Sequence, residues 1–337
     1  MINAYQPPET SRLIYYNRYI DNIVYQIMGK SKGLLFVLGF LFLSEVAKAA
    51  DTTRYRDQLF ADVKITSNIN YDTNPTDAKA YLADIYQPAG DQANNRPLII
   101  WMHGGAFKFG SKDAKSIKLW CNTFARRGYV CAAINYRLSK KNPLLHHDEL
   151  LKGCYNGMID AKKAIQYFRE NASKYGIDPE RIILAGNSAG GMIAVQTAFV
   201  SNAGFVKTAA LAPESEGAQS NDLPHIAAVV NLWGAIFNRD WLKNAGVPIV
   251  CILGDKDGIV PPKHRNNSLF GGIDIHTTAD SIHLTNELKV YQGYSHELEK
   301  HFNPFFMPHD GTEQRWLDAG EFIAAFLYKN VILSKIN

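Results

Sequence analysis

Cysteine is scarce. Four are present in 337 residues: Cys121, Cys131, Cys154 and Cys251. None stands in a C-x-x-C or Cys/His spacing, so no metal site is expected. Cys131 and Cys251 sit in apolar strand-like runs, where a buried free thiol is the expectation. Cys121 and Cys154 are better placed for a bridge, but spacing alone pairs no cysteines. Charge of one sign is also lacking. Lys and Arg number 36 against 32 Asp and Glu, a formal +4, and no basic block follows the first 60 residues. Nucleic-acid binding is therefore not expected. No repeat or low-complexity tract is present, which excludes solenoid and fibrous architectures. No apolar run reaches the ~20 residues of a membrane span, so no stable membrane anchor is expected. What is there, 46% hydrophobic and 20% charged residues, describes a globular chain able to build one large or two ordinary domains.

The N-terminal region reads as a processing signal. Lys30 and Lys32 precede the apolar run Leu34–Leu43, and Ala47-Lys-Ala49 follows in an A-x-A arrangement. Basic flank, short apolar segment and small-residue cleavage site make a secretory signal over about 28–49, with cleavage near Ala49. Residues 1–27 do not belong to such a signal, and Met28 is the expected start of translation. Removing residues 1–49 takes away five Lys/Arg and three Asp/Glu, leaving a formal +2. The mature protein is thus expected to be nearly neutral and secreted or periplasmic. Residues 50–337 are expected to form a single domain.

From Val63 the pattern is a repeated alternation. Two strands, Val63–Tyr71 and Ala80–Tyr86, read as an antiparallel hairpin at a sheet edge. Pro97–Met102, Tyr129–Asn135, Ile182–Ala185, Ile226–Leu232 and Pro248–Leu253 are short apolar runs without alternation, as strands buried on both faces give. Leu288–Tyr291 reads as the last strand. Helices are expected over 114–127, 148–175, 192–200 and 312–329, and Asp178-Pro179 reads as a turn. Residues 203–223 and 261–285 read as irregular and as the lid material, small in extent. Strands alternating with helices specify an α/β fold, a mostly parallel sheet flanked by helices. Its site lies at the C-terminal ends of the strands.

One turn organises the rest. Gly186-Asn-Ser188-Ala-Gly190 fits G-x-S-x-G, with an apolar run before it and a helix of small residues after it. That setting marks a nucleophile elbow with Ser188 exposed at its tip. A serine hydroxyl needs a base, and the base a carboxylate to orient it. Downstream, Gly254-Asp-Lys-Asp-Gly258 offers Asp257, with Asp255 as the alternative. His296, in Gly293-Tyr-Ser-His296 beyond the last strand, is the base by position among ten histidines, with His301 the nearest rival. Acyl transfer also needs N–H donors for an oxyanion. The amide of Ala189 follows the nucleophile, and His103-Gly-Gly-Ala-Phe107 ends a buried strand. His103 reads as bracing that loop. Phe107, Phe109 and the stretch from Phe270 to His283 are pocket-wall candidates, with a purely structural role as the alternative.

These motifs, together with Asn135-Tyr-Arg-Leu138, Asp160–Ile165, Asp178-Pro-Glu-Arg181 and Gly190-Gly191, make the chain from about Val63 to Lys329 resemble an α/β-hydrolase. The resemblance is to the carboxylesterase/lipase group carrying an H-G-G-x motif, and to secreted bacterial esterases acting on plant-polysaccharide esters. It implies an α/β-hydrolase fold with a Ser188–His296–Asp257 triad. It implies an oxyanion hole of Gly105, Ala106 and Ala189, and no cofactor. Many relatives have a third glycine where this chain has Ala106, whose methyl narrows the hole. The expected activity is serine carboxylesterase on short-chain or carbohydrate-linked, acetyl or feruloyl, esters. A peptidase or lipase of the same fold, or a non-catalytic binding protein, are the alternatives. The expected partner is a small or glycan-linked ester; nothing in the sequence specifies an oligomeric state.

Overall fold

The computed structural model describes residues 53–72, 77–212, 215–265, 269–300 and 311–334. The chain divides into two units, Met1–Arg54 and Tyr55–Asn337; the fold below is that of the second. The expected signal segment and cleavage near Ala49, and His301 and His309, lie outside the described residues.

Eight strands form one sheet: β1 (Val63–Asn70), β2 (Leu82–Pro88), β3 (Arg96–Met102), β4 (Val130–Ile134), β5 (Ile177–Asn187), β6 (Ala228–Leu232), β7 (Ile249–Gly254) and β8 (Asn286–Tyr291). Their order is β1-β2-β4-β3-β5-β6-β7-β8. β1 pairs antiparallel with β2 and β2 with β4, while every pairing from β4 through β8 is parallel. The expected edge hairpin is therefore present. Seven helices accompany the strands among the described residues: α1 (Lys115–Ala125), α2 (His147–Glu170), α3 (Ala172–Tyr175), α4 (Ala189–Phe199), α5 (Asn202–Ala209), α6 (Gly272–Ser281) and α7 (Thr312–Leu327).

The apolar runs are buried because both faces of the sheet are covered. In β3 every residue is buried, and side chains alternate between two cores as the period of two requires. Leu98, Ile100 and Met102 join Met158 of α2, Ile193 of α4 and Ile275 of α6. Ile99 and Trp101 join Ile117, Trp120 and Phe124 of α1 and Trp316 and Ile323 of α7. Trp101 stacks on Trp120 with ring centroids 5.2 Å apart. Helix α4 is buried on every side, as a helix apolar all round must be.

Several expectations are corrected. The helix foreseen over 148–175 is broken at Asn171 into α2 and α3. Asp178-Pro179 lies inside β5, where the register with β3 jumps between Arg96 and Leu98; Asp178 still turns locally, accepting from the Glu180 amide at 3.0 Å. The stretches read as irregular contain α5 and α6. Helix α5 is held by Ser201, whose hydroxyl accepts from Gly204 N at 3.0 Å, and by buried Phe205 against Trp241. Helix α6 is capped by Asp274, which accepts from Gly271 N at 3.1 Å. Cys121 and Cys154, the pair better placed for a bridge, are buried free thiols in opposite layers of the sheet. Burial pushes both thiols up in pKa.

Candidate active site

Four strand ends converge. β5 delivers Ser188, β7 leads to Asp257, β8 to His296, and β3 to the loop opening at His103. Ser188 sits at φ 53°, ψ −118°, a conformation costly for a residue with a Cβ. The turn is over-determined by close packing. A Cβ on Gly190 would stand 2.0 Å from Met102 O, and one on Gly186 would stand 2.4 Å from Gly190 C. Only glycine lets the entering strand, the leaving helix and β3 approach this closely. Ser188 N donates to Leu232 O at 2.9 Å, and Met192 N to Ser188 O at 2.9 Å.

His296 Nε2 lies 2.9 Å from Ser188 Oγ, and Nδ1 lies 2.7 Å from Asp257 Oδ2. An ionised carboxylate only accepts, so Nδ1 carries the proton and Nε2 accepts from the serine hydroxyl. Asp257 is pinned in turn: its Oδ1 accepts from Ile259 N at 2.8 Å and Val260 N at 3.0 Å. All three side chains are buried. Asp255, the alternative acid, points elsewhere, accepting from the Gly293 amide.

The loop after β3 is left-handed at three successive residues, Gly105 (φ 115°), Ala106 (φ 52°) and Phe107 (φ 57°). A Cβ on Gly105 would meet Phe109 O at 2.2 Å, so glycine is required there; Ala106 and Phe107 carry the strain with side chains present. His103 braces the loop as expected. Its ring stacks on Tyr136 at 4.3 Å, its Nδ1 lies 2.7 Å from Gly104 O, and Tyr136 Oη donates to its carbonyl at 2.8 Å. Burial lowers the His103 pKa to about 4, so the brace is a neutral imidazole. Asn187, beside the serine, accepts from Gly104 N at 3.1 Å and so ties the loop to the elbow.

A cavity of about 330 Å³ opens between these parts, lined by Ala106, Ser188 and Ala189 among others. Among the described residues no acceptor bonds the amides of Ala106 or Ala189. Gly105 is adjacent to that lining but outside it. The cavity can therefore offer a buried, base-linked hydroxyl beside two unbonded N–H groups to a small, largely apolar ligand. Phe107 forms part of the wall as expected; Phe109 does not, and is 59% exposed. Of the expected lid stretches, 203–223 contributes no described lining residue and 261–285 contributes Leu269. The outer wall is instead Pro143–Leu145, His147 and Leu150, a segment without hydrophobic periodicity that reads from sequence only as a loop running into a helix.

Comparison with known proteins points the same way. The BD-FAE family model matches residues 83–245. The chain is 32% identical over 120 residues to the probable carboxylic ester hydrolase LipM of Mycobacterium tuberculosis, covering 35% of this chain and 25% of that protein. It is 34% identical over 112 residues to carboxylesterase 1F of Mus musculus, covering 32% and 19%. The chain thus spans a quarter or less of the length of these relatives. Among solved structures, apo Thermogutta terrifontis esterase 2 superposes with a TM-score of 0.53 at 22% identity, covering 83% of this chain and 98% of that one. The chain has an α/β-hydrolase fold.

Beside this cluster one acidic residue escaped the sequence reading. Glu297 follows His296 in a short turn and has φ 58°. Burial pushes its carboxyl above the ordinary range; His296 opposes the shift, and Glu299 and Asp257 add to it. Its only sequence signal was adjacency to the chosen histidine. Helix α7 clamps this turn, Trp316 Nε1 donating to Glu297 O at 2.9 Å and Arg315 Nε to Leu298 O at 2.7 Å. Among the described residues no group of three or more His, Cys, Asp or Glu is placed to hold a metal ion. No single described helix is long and apolar enough to cross a membrane.

Proposed function

We propose that the protein hydrolyses carboxylic esters by serine acyl transfer, with Ser188 as nucleophile, His296 as general base and acid, and Asp257 orienting the imidazole. The observation that carries this reading is the unbroken chain of hydrogen bonds from Asp257 through His296 to Ser188 at the tip of a strained elbow. His296 Nε2 takes the hydroxyl proton as Ser188 Oγ bonds to the ester carbonyl carbon. The amides of Ala106 and Ala189 receive the oxyanion, and Gly105 shapes the turn that presents them. The imidazolium then protonates the departing alcohol. Water, deprotonated by the same imidazole, releases the acid and restores the serine. None of these steps calls for a metal or cofactor.

The small cavity favours short acyl groups or a single small ring, and carbohydrate-linked acetyl or feruloyl esters are the natural substrates in this reading. Secretion belongs to the same proposal, resting on the Lys30–Ala49 pattern; an N-terminus near Ala50 on the exported protein is the expected result of N-terminal sequencing. Thermogutta terrifontis esterase 2 has been solved with propionate, with butyrate, and phosphorylated by paraoxon, and related probes apply here. The full chain is expected to turn over p-nitrophenyl acetate and butyrate faster than octanoate. Paraoxon should add one phosphoryl group at Ser188, read by intact mass and peptide mapping. Ser188→Ala should lose at least ~10⁴-fold in kcat with unchanged far-UV circular dichroism. Wild-type activity in that variant would remove Ser188 from the mechanism. Cleavage of peptide amides as fast as esters would move the assignment to a peptidase.

A further inference from the structure

The outer wall of the cavity is unlike the rest of it. Phe107, Met192 and Val260 on the inner side are buried, whereas Leu144 is 61% and Leu145 77% exposed although both line the cavity. Leu145 is the most exposed large apolar side chain among the described residues. Exposed leucines of this kind on an ordinary loop would be unremarked singly. Here two are adjacent, line the same cavity as Ser188, and are held in place.

The holding is visible in the hydrogen bonds. Ser139 N donates to Phe107 O at 2.7 Å, and Lys108 Nζ bonds the carbonyl of Lys140, which fastens the start of the segment to the loop after β3. Asn142 then forms a side-chain turn: its Oδ1 accepts from Leu144 N at 3.0 Å and its backbone carbonyl from Leu145 N at 3.2 Å. Pro143 is buried beneath, and α2 begins at His147. The two leucines are therefore presented by a braced turn. Among the described residues, only Ser188 and His147 bring polar side chains to the lining; the other side chains there are apolar.

We propose that Leu144 and Leu145 form an apolar strap that sets substrate choice, closing over the alkyl or aryl acyl group of an ester bound at Ser188, so that between acetyl and larger acyl groups such as feruloyl the larger is favoured. The proposal rests on the serine-esterase reading of this site. The solvent-facing area of both side chains supplies apolar surface that only a substrate with an apolar group removes from water. A group the size of one methyl falls short of the strap. At about 330 Å³ the cavity lies at the small end of the ~300–1,000 Å³ range of ligand sites, which limits the favoured group to a short chain or one ring.

The test compares p-nitrophenyl hexanoate with p-nitrophenyl acetate in the wild type and in Leu144→Ser/Leu145→Ser. The hexanoate-to-acetate ratio of kcat/KM should fall about tenfold, through a raised KM for hexanoate at little-changed kcat. Leu144→Met/Leu145→Met should hold the ratio within about twofold of wild type, because an apolar wall of similar volume is kept. If the double serine variant loses its melting transition, the single Leu145→Ser, at the more exposed position, carries the test with about a threefold fall. An unchanged ratio in a folded serine variant overturns the strap. A wild type that hydrolyses neither ester overturns the esterase reading itself, an outcome distinct from a failed ratio.

Discussion

The two walls of the cavity are built by opposite rules. On the inner side, the Ser188–His296–Asp257 cluster is fixed from several directions. Ser188 is locked by glycines that have no room for a Cβ, Asp257 by two amides, and the His296 turn by two side chains of α7. On the outer wall, Leu144 and Leu145 are presented by the Asn142 turn and keep most of their surface in water. The difference teaches where rigidity is needed. Proton transfer and oxyanion stabilisation depend on donors set before the reaction begins, whereas apolar recognition is non-directional and tolerates any surface of about the right size.

That contrast can be broken most severely on the inner wall. Asp257→Asn should keep the packing but remove the partner that sets the His296 tautomer. The expected loss is ~10⁴-fold in kcat, equivalent to ~5.5 kcal/mol of barrier, measured by steady-state hydrolysis of p-nitrophenyl acetate. A loss below tenfold would mean that Asp257 does not orient the base.

Gly190→Ala places a methyl against backbone atoms of Met102 that have no side-chain freedom to yield. Destabilisation on the order of 4 kcal/mol or more is expected, read by urea unfolding. Unchanged stability would show that the elbow has slack.

The brace beneath the loop after β3 should be visible in pH dependence. His103 is held at about 4, below its ordinary 6.5, by burial. The unfolded chain therefore takes up a proton that the folded chain refuses. Stability from this group is complete above pH ~6.5 and falls as the pH drops toward ~4, by ~3 kcal/mol across that window. Urea unfolding from pH 7 to 4.5 should show the slope, and His103→Gln should flatten it. An identical slope in the variant would assign it to other groups.

The strap variants follow, at about tenfold in selectivity. The smallest effect is expected at Asp255→Asn, below ~3-fold in kcat/KM, because this carboxylate is bonded to the Gly293 amide and lies off the relay. A loss comparable to that of Asp257→Asn would reverse the choice between the two acids.

Much of this was legible in the sequence. The continuous apolar runs became buried parallel strands, since burial on both faces leaves no polar side to alternate with. The G-x-S-x-G turn was legible because its requirement is local: small residues where strand and helix touch. His296 and Asp257 were legible by chain order and by following strands. Helices α5 and α6 were not, because Asn202–Ala209 and Gly272–Ser281 mix small, polar and β-branched residues of weak propensity. They are helical because Phe205 and Ile275 are buried by partners distant in sequence. The strap was hidden for the same reason. Nothing in Asn142–Leu145 indicates that its leucines line the cavity of Ser188 until α2 is packed on the sheet.

By itself the sequence determined the order of the strands along the chain, the elbow and the identity of the residues that meet at its tip, because periodicity and steric need at a turn are properties of short segments. Only the tertiary structure decided that Cys121 and Cys154 lie in opposite layers of the sheet and which loop walls the cavity. Those depend on distances between segments far apart in the chain, and such distances exist only once the two cores have closed on the sheet.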